Sequence, residues 1–189
     1  MCAAHKTSAL AGVALAAAVL TGCAPDPAPA AQEAAPSPSA RDSAVAVAWM
    51  NGFCGAVKDF IDGNNKMSSA SGETLEAVKK STSDQLGHYA AILAETVDGL
   101  GALPAAPVPA GDAAKREFLA KYTSARDKTV KAKAALDAAG ANDTAAQSRA
   151  VEGLLAAQKD THGALDPVAA VLGAPELKTA AASAERCRP

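Results

Sequence analysis

The stretch GETLEAVKKSTSDQLGHYAAILAETVDGLG, residues 72–101, decides the fold. Its core-type positions are Leu75, Val78, Thr82, Leu86, Tyr89, Leu93, Val97 and Leu100, spaced by three and four throughout. That spacing follows the 3.6-residue turn of an α-helix and sets the whole series on one stripe; a strand would alternate every second residue. Glu73 and Glu76 suit the positive end of such a helix, and Gly99 and Gly101 mark its exit. The pattern predicts a helix from Gly72 to about Leu100.

The same period recurs on both sides. Trp49, Phe53, Val57 and Phe60, widened by Met50, Cys54 and Ile61, predict a helix from Ser43 to Asp62. Asp42 or Ser43 would cap it, and Gly63-Asn64-Asn65 would end it. Beyond residue 101, Pro104, Pro107 and Pro109 predict a connection that is not helical. Phe118, Tyr122, Ala125, Thr129, Ala132 and Leu136 then predict a helix from Asp112 to Ala139. A fourth helix is expected after Asn142-Asp143, with Val151, Leu155, Leu165, Ala169 and Leu172 as its inward face and a kink or break near Asp166. Pro175 opens a short fifth helix reaching about Arg186, with Leu177, Ala180, Ala184 and Cys187 inward. Alanine is abundant, aromatics are few and extended β-branched runs are absent. The expected fold is therefore all-α, an up-and-down four-helix bundle with a short C-terminal fifth helix over residues 43–189.

Residues 1–22 read differently. A weakly basic start, His5-Lys6, precedes an apolar run from Leu10 to Leu20, and Leu20-Thr21-Gly22-Cys23 follows it. The run is shorter than the ~20 residues that span a bilayer. Small residues at Thr21 and Gly22 suit a peptidase cleft, and Cys23 offers the thiol for a diacylglyceryl group. A plain secretory signal cut after Ala16-Ala17-Ala18 is the competing reading. The signal and its lipobox resemble those of bacterial exported lipoproteins, and the alanine-rich style is similar to that of actinobacterial ones. The resemblance covers about the first 23 residues. It implies lipidation of Cys23, attachment to the outer face of the cell membrane, and nothing about activity. Residues 23–42, with Pro25, Pro27, Pro29, Pro36 and Pro38, read as a lipidated start and an extended Pro/Ala-rich tether.

Cleavage before Cys23 removes only Lys6 among the charged side chains, leaving 17 basic against 20 acidic and a formal charge of -3. That balance argues against a nucleic-acid partner. Cys54 and Cys187 remain after Cys2 leaves and Cys23 is lipidated. In an exported domain they read as one disulfide. Nothing marks a catalytic site: HExxH, GxSxG and a glycine-rich phosphate loop are all absent from the sequence. His88 falls on the outer face of its helix, with Asp84 as a neighbour but too few ligands for a metal. The basic residues Lys115, Arg116 and those from Arg126 to Lys133 suggest an acidic ligand or, more simply, a solvated face balanced by Glu117, Asp127 and Asp137. Counted from Val151, Gln158 and His162 fall on the inward face. They read either as hydrogen-bonded core groups or as a ligand-binding strip, for haem with Met50 or Met67 as second ligand, or for a metal. The helical design is superficially similar to that of iron-uptake and haem-handling lipoproteins, but the acidic-histidine clusters of those proteins are missing, so no residue carries over. No cofactor is expected. The sequence points to a non-catalytic envelope lipoprotein contacting another envelope protein or wall component, with a small-ligand binder as the second reading.

Overall fold

The computed structural model describes residues 39–188. The expected export signal, Cys23 and the expected tether as far as Pro38 lie outside them. Five α-helices follow in order: α1 (Ala40–Asn65), α2 (Leu75–Ala102), α3 (Pro109–Ala138), α4 (Thr144–His162) and α5 (Pro175–Ser183). Two 3₁₀ turns, Ala169–Val171 and Glu185–Cys187, flank α5. No strand occurs among the described residues.

Local chemistry sets the starts. Ser39 and Asp42 form a reciprocal capping box, Ser39 Oγ accepting from Asp42 N at 3.2 Å and Asp42 Oδ2 from Ser39 N at 3.3 Å. The helix therefore begins at Ala40, three residues into the stretch expected to be tether. Thr74 caps α2 and Asp143 caps α4 through their side-chain oxygens. Pro109, expected in the non-helical connection, is the first residue of α3. A proline fits there because a first-turn N–H has no intrahelical acceptor. Gly63-Asn64-Asn65 rides on the last turn of α1 instead of ending it, and α5 stops at Ser183 before the separate Glu185–Cys187 turn.

Consecutive helices α1 to α4 pack as neighbours. Gly52 lies against Leu103 and Gly63 against Ile92. Positions thus rise along α1 as they fall along α2, as an up-and-down bundle requires. All six aromatic side chains join in one buried series. Trp49–Phe53, Phe53–Phe118 and Phe60–Tyr122 have ring centroids 5.0 Å apart, Phe60–Tyr89 5.9 Å and Phe118–Tyr122 6.4 Å. The rings are tilted or edge-on, the arrangement their quadrupoles favour. By length and composition α1 is apolar enough to cross a bilayer, but its stripe of Trp49, Met50, Phe53, Val57 and Phe60 is buried in this core.

The C-terminal segment completes the bundle beside α1, where α5 and the Glu185–Cys187 turn pack. Leu177 is fully buried. It meets Trp49 and Ala106 around Gly111, where an added Cβ would fall 2.6 Å from Ala106 Cβ and 3.0 Å from Leu177 Cδ1. Cys54 and Cys187 are bonded, with Cα atoms 5.0 Å apart.

The phase of α4 departs from expectation. Val151 is 46% exposed and Leu155 59%, while Leu165, Ala169 and Leu172 are also exposed. The buried row is Ala146, Ala150, Leu154, Ala157 and Thr161. The cause is the close approach of α3 and α4: a Cβ on Gly153 would stand 2.7 Å from Ala132 Cβ. A seam that tight favours a row of mostly small residues, Ala146, Ala150, Ala157 and Thr161 around Leu154, and turns Val151 and Leu155 away. The helix also ends at His162, earlier than the break expected near Asp166.

Candidate functional site

The strip Gln158–His162 is not an inward pair. His162 is exposed and Gln158 half-buried, a direct consequence of the shifted phase of α4. Their place in the core is taken by Thr161, whose hydroxyl lies 3.2 Å from Tyr89 Oη and donates to the Gln158 carbonyl at 3.0 Å. Beside it Tyr122 Oη donates to the Ala164 carbonyl at 2.7 Å. Burial pushes both phenols above their ordinary range, since a phenolate there would lose its water. These groups satisfy one another, and among the described residues no buried side-chain nitrogen or oxygen lacks a partner. Met50, the first alternative haem ligand, is fully buried in the apolar core, and Met67 is half-buried beside it. The inward strip expected on this helix is therefore not formed.

Five of the basic residues of α3 are engaged elsewhere, while Arg116 and Lys131 are exposed. Lys115 Nζ donates to the Leu103 carbonyl at the end of α2 at 2.7 Å, and Lys121 Nζ to the Gly163 carbonyl at the end of α4 at 2.9 Å. Lys79 of α2 returns the favour at the end of α3, donating to the Asp137 and Ala139 carbonyls. Each lysine thus caps a neighbouring helix where carbonyls lack partners and the dipole is negative. Lys128 pairs with Asp160 at 2.6 Å, Arg126 with Asp127 at 2.9 Å and Lys133 with Asp137 at 2.6 Å. With most of its cations committed, the face reads as a solvated, charge-balanced one.

Ser83, Lys133 and Asp137 form the one cluster that looks like chemistry. Ser83 Oγ donates to Asp137 Oδ1 at 2.5 Å and accepts from Lys133 Nζ at 3.1 Å. It borders an open groove of about 580 Å³ lined also by Thr74, Glu76, Lys79, Lys80 and Asp84. A nucleophilic serine needs a base whose pKa is drawn toward neutrality. Asp137 moves the other way: the hydrogen bonds from Lys133 and Ser83 hold its carboxyl below the usual range. Lys133 donates to that same carboxylate and so cannot take the serine proton. The cluster joins α2 to α3.

His88 is exposed, and its neighbour Asp84 is held by Lys80 at 2.6 Å. Among the described residues no three His, Cys, Asp or Glu side chains are placed to share a metal.

The C-terminal clasp was legible only as a disulfide. Arg186 N donates to Asn51 Oδ1 at 3.0 Å, its guanidinium to the Gly55 carbonyl at 3.2 Å and to the Asp59 carboxylate. Asn51, Gly55 and Asp59 lie four apart on α1, one above another, so the arginine lies along a ridge of that helix. Cys54 and Cys187 lock the same junction covalently. No family model matches the chain, and no curated protein or solved structure matches it either.

Proposed function

We propose that the chain is a non-catalytic cell-envelope lipoprotein, anchored through Cys23 on the extracytoplasmic face of the membrane and contacting another envelope protein or a wall component. Leu20-Thr21-Gly22-Cys23 after the apolar run from Leu10 carries this reading. The disulfide accords with export, because such bonds persist in oxidising compartments. The Ser83–Lys133–Asp137 cluster is engaged in joining α2 to α3, which supports a non-catalytic reading. Expression of the full gene in a host with lipoprotein processing, followed by intact-mass measurement, tests the anchor. The expected product starts at Cys23 and carries a diacylglyceryl group, and Cys23→Ser releases it from the membrane. An unmodified chain, or one starting elsewhere, overturns the reading.

A further inference from the structure

The row that periodicity sends inward on α4 faces solvent. Thr144, Ser148, Val151, Leu155, Gln158 and His162 are spaced by four and three throughout, the repeat that lets two helices pack along a common seam. Val151 is 46% exposed and Leu155 59%, and Thr144, Ser148 and His162 are exposed as well. Among the described residues, Val151 and Leu155 are the only exposed large apolar side chains one turn apart on one helix. The face is open because α4 packs on α3 and α2, while α1 packs along α2 and α5 and does not cover it.

The row is symmetric about its own midpoint. Val151 and Leu155 form an apolar centre, Ser148 and Gln158 flank it, and Thr144 and His162 end it. Laid antiparallel on a second copy, each position meets its mirror: Leu155 on Val151, Ser148 on Gln158, Thr144 on His162. Such an isologous contact has an apolar middle and a polar rim. The charges agree. Glu152 and Lys159 lie beside the row on one side, both exposed, and neither is in an ion pair among the described residues. Helical side chains tilt toward their own N-terminus. In the antiparallel pair Glu152 therefore leans toward the partner's Lys159, which leans back toward it, whereas the two copies of Glu152 lean apart. We infer that α4 is the docking face for a second copy of this chain, the two helices packing antiparallel about Val151 and Leu155. This draws on α4 alone and goes beyond the lipoprotein reading, which it does not need. A seam of 19 residues, about 28 Å long, buries less than the ~1,600 Å² of a standard complex, so the dimer forms in the micromolar range.

Sedimentation equilibrium of the full-length protein in mild detergent should show a reversible monomer–dimer equilibrium. Leu155→Lys should abolish it, whereas Leu172→Lys, at a similarly exposed leucine outside α4, should leave it unchanged. Glu152→Lys and Lys159→Glu should each weaken the dimer several-fold, since exposed ion pairs are individually modest, and the double reversal should restore it. These positions are exposed, so folding is preserved. Benzoylphenylalanine at Leu155, irradiated in cells, should crosslink to a second copy. A chain still monomeric at submillimolar concentration overturns the inference. So does a dimer indifferent to Leu155→Lys, a double reversal as weak as either single change, or crosslinks at Leu155 only to a different protein or to lipid.

Discussion

Reducing the Cys54–Cys187 bond should loosen half of α1 as well as the C-terminus. The bond links positions 133 apart, and chain-entropy arguments assign closure of such a loop about 5 kcal/mol at 25 °C. With an m-value of about 2 kcal/mol/M in urea, the midpoint should fall by roughly 2.5 M, or less if the reduced unfolded chain retains structure. Where the loss appears is set by packing. α1 is flanked by α2 on one side and by α5 with the Glu185–Cys187 turn on the other. Within α5 only Leu177 is a large buried side chain, the rest being Ala180 and Ala181. Without the bond, that segment should leave first and uncover Trp49. Trp49 is the sole tryptophan and is 2% exposed, so its fluorescence reports this event while circular dichroism reports the helices. The two transitions should coincide in the oxidised protein and separate in the reduced one, fluorescence moving first. Hydrogen exchange should show deprotection of residues 175–188 together with 40–54, while α2, α3 and α4 stay protected. Coincident transitions after reduction, or deprotection that stops short of α1, would refute the role given to the C-terminal segment. Free thiols in the exported protein would remove its premise.

Adjacent leucines on α4 test its phase: Leu154→Ala should cost about 2–3 kcal/mol and Leu155→Ala under about 0.5, measured by urea melts, with equal costs counting against the alanine-row packing. Stability should also fall at both pH extremes. Asp137 and Asp160 are held below the usual range, first by their hydrogen bonds from Lys133 and Lys128, so their contribution is present above the unfolded carboxylate pKa of about 4 and lost as pH falls through the lower folded values. Asp160→Asn should flatten the acid limb of the urea midpoint against pH. Tyr89 and Tyr122 are raised by burial, so folding weakens above the unfolded phenol pKa of about 10. Absorbance at the phenolate band should then rise together with loss of helix, and phenolate formation in a fully helical protein would contradict their burial.

Much of the bundle was legible in the chain because helices announce themselves locally. The spacing from Leu75 to Leu100, the cap Asp143 and the proline at the head of α5 depend on residues within a turn or two of each other, whereas Thr74, inside the stretch expected to be helical from Gly72, showed itself as a cap only in the structure. The disulfide was legible too, from thiol number and the expectation of export. The faces of α1 and α3 followed because one stripe on each held the aromatics and leucines, and that of α2 followed from Thr82 to Leu100, though Leu75 at its head is 45% exposed and Ile92 and Thr96 are buried beside the expected row. On α4 two stripes competed, Val151-Leu155 against Ala150-Leu154-Ala157. Periodicity ranks them by side-chain size, and size gave the wrong row, with Gln158 and His162 carried inward on it. What decided was the distance between helix axes: where Gly153 meets Ala132 there is room only for small side chains. The reach of Lys79, Lys115 and Lys121 to the carbonyls of other helices was hidden for the same reason, as was the line of Arg186 along Asn51, Gly55 and Asp59. A sequence carries the turn of each helix, but the separation and offset between helices belong to the whole packed set, and those determine which polar groups meet.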